Sequence, residues 1–401
     1  MSIVNKTSFN ELARVFPDAP IVLFGSGNIA DKTLRQIDRA RVRCIVDNST
    51  SLQGGVFQEL DIIKPDDADL SGALILICST AITDIALQLK SMGVNIEDSV
   101  RVSPLLNDLI AIKNLEELQL DFYFTSGTKA GANEEYGGGF YWCGVGGENK
   151  QLKRLYAGAC YGAVRVEQKI YFVDTDVGIM SYCTLTEDIQ HVGNVPKGGR
   201  AHGISYNEGR QAFFVTCSYR DSVIEYTKDF EASRELFLSD KFNNTGEPQH
   251  HCNDNVSVGS SLYVTMFSST GNWKRDSFDG CIAEFDLVTG KRCKDVVRDL
   301  YMPHNVLNIG GSLHVLDSLP GHLRFGNMSV QGTFPAFTRG LAHARGYYLL
   351  GQSKNRNYSR VVGLSNNISV DCGVILFDPS LKVSRFVQFP LSIGEVHSIV
   401  V

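Results

Sequence analysis

The chain reads as an α/β domain followed by an all-β domain, and three observations carry that assignment. Between Ile21 and Val102, short continuous apolar runs alternate with stretches of helical spacing, the pattern of a parallel sheet covered on both faces. From Tyr161 onward a hairpin recurs, and its clearest copy is MPHNVLNIGGSLHVLD, Met302 to Asp317, with period-two apolar spacing on both sides of Gly310-Gly311. The chain then ends on HSIVV, His397 to Val401, which is half of one more copy.

The copies are YGAVRVEQKIYFVD from Tyr161, HGISYNEGRQAFFVT from His202, NDNVSVGSSLYVT from Asn253, the copy containing His304, and RGLAHARGYYLLG from Arg339. They are spaced by about forty to sixty residues, and each is followed by a further strand or two, such as IMSYCTL, SVIEYTK, CIAEFDL, HLRFGN and GVILFDP. This predicts a six-bladed β-propeller over residues 122–401. Its last blade takes outer strands from Gly137–Val145 and Lys150–Gly158 and is closed by His397–Val401 pairing beside the first of these, because a closed ring leaves no unpaired sheet edge.

The first domain, residues 1–121, is expected to open with a short helix over Ser8–Val15. The strand Ile21–Phe24 then runs into Gly25-Ser26-Gly27-Asn28-Ile29-Ala30, which fits GxGxxG/A and leads into a helix. In that motif the first glycine makes the turn and the second lets a phosphate approach the helix N-terminus. The next strand, Val42–Val46, ends in Asp47, about twenty residues on, where an acidic group meets a ribose hydroxyl. A third strand, Ala73–Cys78, ends in Ser79-Thr80, a helix follows over Ile82–Met92, then a strand over Val100–Val102 and a linker helix over Leu105–Leu118. Together these predict a small doubly wound, Rossmann-like sheet of four or five strands. Gly25, Ser26, Gly27, Asn28, Asp47 and Ser79 are its candidate cofactor residues, for a nucleotide, a nucleotide sugar or NAD; the remaining reading is a docking or dimerisation module.

Composition narrows the function classes. The chain has 401 residues, 43% of them hydrophobic, enough for two separate cores. A net charge of −6 argues against nucleic acid as a partner. No apolar run is long enough to span a membrane and the N-terminus shows no signal-peptide pattern, so a cytoplasmic protein is expected. Ten cysteines occur without a CxxC pair, which suits buried thiols better than a disulfide framework or zinc ribbon. Oligomeric state is left open, a homo-oligomer included.

Aligning the hairpins places Tyr161, His202, Asn253, His304, Arg339 and His397 at one equivalent position, the start of the innermost strand of each blade. Equivalent residues of all blades converge at one mouth of the channel. Three or four imidazoles there suit a divalent transition metal, with His202, His251, His304 and His397 as candidate ligands. Alternatives are a polar pocket without metal and a solvated channel with no site. Arg339 is expected to anchor an anionic group, Glu395 to act as acid–base residue, and Tyr161 completes the catalytic candidates. Asp254 alternates to the opposite face from Glu395, and Asp174 and Asp317 are expected to tie turns.

Two resemblances add to this reading. Phe24–Ala30, CIVDNS (Cys44–Ser49) and ILICST (Ile75–Thr80) resemble the Rossmann-like domain that precedes bacterial sugar acyltransferases, which implies nucleotide-sugar binding in a glycan or natural-product pathway. GEPQHHCNDNVSV, MPHNVLNIGGSLHVLDSLPGHL and FTRGLAHARGYYLLGQSKNR resemble an uncharacterised bacterial β-propeller family, which implies the fold and assigns no catalytic residue. The functional expectation is therefore a nucleotide- or nucleotide-sugar-binding domain joined to a propeller whose His-lined channel takes a small anionic or sugar-derived molecule. The reaction classes are lyase, hydrolase or epimerase; the alternatives are a non-catalytic binding or scaffold protein and an NAD-dependent oxidoreductase.

Overall fold

The computed structural model describes residues 7–127, 135–275, 278–335, 337–354 and 369–401. The chain divides into two units, Met1–Glu116 and Glu117–Val401.

In the first unit six strands form one sheet: β1 (Ile21–Phe24), β2 (Val42–Val46), β3 (Val56–Phe57), β4 (Leu60–Ile63), β5 (Leu74–Ile77) and β6 (Val100–Val102), in the order β3-β4-β2-β1-β5-β6. All neighbours pair in parallel except β3 with β4. The continuous apolar runs follow from burial on both faces. Ile21, Leu23, Leu74 and Leu76 pack with Leu12 and Leu34, from α1 (Phe9–Val15) and α2 (Asn28–Leu34). Val22, Phe24, Ile75 and Ile77 pack with Ile85, Leu89 and Ile110, from α3 (Ile82–Ser91) and, beyond the short α4 (Ile96–Ser99), α5 (Asn107–Glu116). Ser8 caps α1, its Oγ accepting from the Glu11 N–H at 3.1 Å. The small pair β3–β4 was not anticipated, because its strands are too short and polar to show a period.

The second unit is a six-bladed β-propeller, six four-stranded antiparallel sheets in succession. The innermost strands of the first five blades are Cys160–Val166, Ala201–Asn207, Cys252–Val258, Pro303–Ile309 and Phe337–Ala344. Gly310 and Gly311 take φ of +58° and +83°, the left-handed pair that a two-residue hairpin turn requires. The core lies between blades. Val173, Ile204, Val215 and Ile224 join blades one and two, and Phe140, Phe172 and Val400 join blades six and one. All ten cysteines are free, eight of them buried.

The sixth blade differs from expectation in one strand. Its innermost strand, Ser398–Val400, pairs with Gln119–Ser126 and not with Gly137–Val145, through Ser398↔Thr125, Ile399↔Phe124 and Val400↔Tyr123. Gly139–Gly146 and Asn149–Ala157 then follow outward. QLDFYFTS follows the expected linker helix over Leu105–Leu118 and was assigned no strand, yet Leu120, Phe122 and Phe124 are buried in strict alternation. A domain boundary after residue 121 would cut this strand.

Candidate site in the propeller channel

Five of the six aligned residues share a local backbone device. In blades one to five the ladder between the innermost strand and its neighbour shifts register at the aligned position: between Cys160 and Ala163, Ala201 and Ile204, Cys252 and Asn255, His304 and Val306, and Arg339 and Leu341. A bulge breaks the alternation and re-aims one side chain, and here it does so at the same level in each blade. The residue after the aligned one is Gly162, Gly203, Asp254, Asn305 and Gly340 in turn. A Cβ on Gly162 would lie 2.5 Å from the His202 carbonyl oxygen, and one on Gly203 would lie 2.7 Å from that of Asn253. Glycine is needed where adjacent innermost strands approach this closely.

The bulge residues tie the blades together. The Asn305 N–H donates to Asp254 Oδ2 at 2.9 Å, and Asn305 Nδ2 donates across to the His397 carbonyl at 3.2 Å. Burial lifts the Asp254 carboxyl to about 6, against the lowering effect of the Asn305 N–H and the Arg339 charge.

The structure brings Tyr161, His202, His304 and His397 together. Ring centroids lie 4.3 Å apart for Tyr161–His397, 4.8 Å for Tyr161–His202, 5.2 Å for His202–His397 and 6.1 Å for His202–His304. All four side chains are buried. Burial pushes the His202 and His304 imidazoles well below their ordinary value; the neighbouring charges of His397 and Arg200 (for His202) and of Arg339 and His397 (for His304) push the same way. Both are therefore neutral at physiological pH. His304 Nδ1 faces the Met302 carbonyl at 3.0 Å and Ser318 Oγ at 2.9 Å. Glu395 Oε2 accepts from His397 Nε2 at 2.5 Å and from Arg339 Nη1 at 2.6 Å. Arg339 is thus engaged with Glu395, and its guanidinium also lies over Phe337, 4.5 Å from the ring centre.

Among the described residues, His202 Nδ1, His251 Nδ1 and Asn253 Oδ1 are buried without a hydrogen-bond partner. A buried polar group left in this state costs about 1–3 kcal/mol. No group of three or more His, Cys, Asp or Glu side chains among the described residues is arranged, as it stands, to hold a metal ion.

A second tier lies two residues ahead of the ring: Arg200, His251, Met302, Phe337 and Glu395. Arg200, His251 and Met302 have φ of +48°, +56° and +54°, so strand alternation does not extend to them. Among the described residues His251 makes no ring contact with Tyr161, His202, His304 or His397, although its charge acts on His202 and His304. It stacks on Phe267 at 4.5 Å and meets Trp273 at 4.6 Å, while Asp221 Oδ1 accepts from its N–H at 2.8 Å. Burial lowers its imidazole to about 3. Arg200, which the sequence reading passed over, lies over Tyr161 at 5.7 Å and Tyr219 at 5.1 Å, and its Nη1 donates to the Tyr219 hydroxyl at 2.9 Å. Its position two residues before His202 was the available signal, the same offset that singled out Glu395 and His251. Asp174 and Asp317 do tie turns: Asp174 Oδ1 accepts from the Asp176 N–H at 2.9 Å, and Asp317 Oδ1 from the Tyr301 N–H at 2.6 Å.

In the first unit, Gly25 has φ +109°, and its N–H donates to the Val46 carbonyl at 2.7 Å. A Cβ there would lie 3.2 Å from the Cys78 carbonyl oxygen and 3.4 Å from Ser79 Cβ, which places Gly25 and Ser79 side by side. Gly27 caps α2 and Asn28 begins it, both exposed; a Cβ on Gly27 would meet nothing within 4 Å. Asp47 Oδ2 accepts from Ser26 N–H at 2.9 Å and Ser26 Oγ at 2.6 Å, and Oδ1 from Ser49 N–H at 2.9 Å. Desolvation raises the Asp47 carboxyl, but these hydrogen bonds outweigh it and leave it below the ordinary value.

No protein-family model and no curated protein matches the chain. Among solved structures, a chain of a nidogen/laminin complex aligns over 70% of this chain and 97% of its own, at 13% identity and a TM-score of 0.49. A protein of unknown function from Bacteroides caccae aligns over 70% and 97%, at 11% identity and 0.46. A putative gluconolactonase aligns over 58% and 78%, at 15% identity and 0.41. The six-bladed architecture stands on the strand pairing described above. Among the described residues no helix is long and apolar enough to cross a membrane.

Proposed function

We propose that the ring of Tyr161, His202, Asn253, His304, Arg339 and His397 is the binding and reaction site for a small anionic or sugar-derived molecule. One observation carries this reading. His202 Nδ1 and Asn253 Oδ1 are buried beside neutral imidazoles with no protein partner among the described residues, and a ligand would offset their cost. In this reading His397 and Glu395 form the acid–base couple. The carboxylate holds one ring nitrogen, fixing tautomer and orientation, and Arg339 positions the carboxylate. The reaction class is that of a lyase, hydrolase or epimerase, each of which moves a proton at such a couple.

A second reading adds a divalent transition metal held by His202, His304 and His397. The donor chemistry supports it: three imidazoles, those of His202 and His304 neutral, with His304 Nδ1 on a carbonyl and His397 on a carboxylate, the outer contacts that orient metal-binding histidines. Since no such group is preformed among the described residues, the imidazoles would have to turn to accept an ion. A bound ion would supply Lewis acidity.

For the first unit, nucleotide, nucleotide-sugar or NAD binding at Gly25–Ala30 is proposed on the open space around Gly27. A ribose hydroxyl would share Asp47 with Ser26. Calorimetry on Gly27→Val tests this, and a wild type that binds none of these compounds at millimolar concentration makes the unit a docking module.

The test of the ring is metal analysis of wild type and His304→Ala, with melting curves in the presence of sugars and sugar acids. Metal lost in His304→Ala establishes the ion. Ligand stabilisation weakened by His304→Ala without metal establishes the metal-free pocket, and neither effect makes the propeller a binding or scaffold module.

A further inference from the structure

Two arginines reach this centre, and the structure treats them differently. Arg339 is buried with Nη1 at 2.6 Å from Glu395. Arg200 is half-buried, and among the described residues none of its hydrogen bonds or ion pairs is to a carboxylate; its side chain lies over the Tyr161 and Tyr219 rings and hydrogen-bonds with both tyrosines. Tyr161 in turn packs on His202 and His397, so Arg200 contacts the ring through Tyr161 and stands one side chain away from those two histidines. Tyr219 is 43% exposed, which puts this end of the arrangement at the mouth of the site.

We propose that Arg200, flanked by Tyr161 and Tyr219, is the specificity-determining anion arm of the ring site, and that it takes a carboxylate carried by a small sugar-derived molecule. This rests on the ring being a ligand site. A guanidinium lying over two aromatic rings is restrained before a ligand arrives, and it matches a carboxylate with two parallel hydrogen bonds. The Tyr219 hydroxyl accepts a hydrogen bond from Arg200 Nη1, which leaves its own O–H to donate to the same anion. Charge selects the class. The Arg200 guanidinium, with no carboxylate partner among the described residues, balances a monoanion, whereas a phosphate dianion would carry one negative charge in excess. The anchor for an anionic group therefore moves from Arg339 to Arg200.

The test uses the full chain and probes that differ at one carbon: glucose, glucuronate and glucose 6-phosphate, with the matching galactose series. Calorimetry on the wild type should detect at least one uronate and bind the parent sugars and phosphates more weakly. Arg200→Gln should weaken uronate binding on the order of 10- to 100-fold, as loss of a charged hydrogen bond implies, with little change for neutral sugars. Arg200→Lys keeps the charge without the fork and should fall between; if Arg200→Gln does not fold, Arg200→Lys alone decides, and wild-type affinity in it overturns the proposal. So does wild-type uronate affinity in Arg200→Gln, a preference for phosphates, or the absence of uronate binding. His304→Ala separates the two readings. Uronate binding that depends on His304 but not Arg200 sinks the arm and keeps the ring; dependence on Arg200 but not His304 sinks the ring.

Discussion

Closing the ring with three residues of the C-terminus makes a specific demand on Ile399. Its backbone pairs with Phe124, its side chain is 5% exposed, and it abuts Gly340 of the preceding blade, where a Cβ would lie 3.1 Å from Ile399 Cγ1. Ile399→Ala removes three carbons without touching the polar ring. Lost transfer free energy is about 2–3 kcal/mol at roughly 0.8 per methylene-sized group. The cavity left between innermost strands that cannot collapse raises the total to about 3–4 kcal/mol. The assay is equilibrium urea unfolding followed by tryptophan fluorescence. The chain has two tryptophans, Trp142 and Trp273, both in the second unit, so the signal reports the propeller alone. Val330→Ala, at an outer strand where the side chain is 44% exposed, is the control and should stay within about 0.5 kcal/mol. Deleting residues 396–401 should abolish the cooperative transition. An Ile399→Ala midpoint equal to that of the control would refute the closure as described.

Two further outcomes follow from the site. Gly203→Ala places a Cβ 2.7 Å from the Asn253 carbonyl oxygen and from Asp254 Cα, so urea unfolding should show a loss of about 1–3 kcal/mol; a loss under 0.5 would mean the innermost strands are not so closely set. The His251 imidazole has a folded-state value of about 3 against an ordinary 6.5. Between those values the unfolded chain binds the proton and the native one does not, so its contribution is full above pH 6.5 and falls as pH drops toward 3. His251→Phe keeps the stack on Phe267 and Trp273, and should shrink the stability difference between pH 8 and pH 5 by about 2 kcal/mol. An unchanged difference would show that His251 is not buried in the neutral state.

The blades were legible because each hairpin carries its own turn and alternation, and the ring because the aligned residue recurs at the same offset in every copy. The strand Gln119–Ser126 was missed although it alternates, since it belongs to a blade completed from the far end of the chain and has no neighbouring copy in sequence. Parity served within strands and failed beyond them. It placed Glu395 correctly beside His397, but His251 sits at a left-handed residue before its strand begins and is caged by Phe267 and Trp273. Arg339 was identified as a ring residue, yet its pairing with Glu395 is a contact over 56 residues that no local pattern encodes. Likewise the uptake of Asp47 by Ser26, across 21 residues, is invisible to a motif that counts only spacing.

The central claim is that the buried centre of the ring takes up a polar guest. The most direct measurement is a high-resolution crystal structure of the full chain with anomalous data collected at transition-metal edges. The account predicts density within hydrogen-bonding or coordination distance of both His202 Nδ1 and Asn253 Oδ1; anomalous signal there would mark an ion, and its absence an ordered water or organic ligand. A dry centre in which those two atoms find protein partners of their own would contradict it.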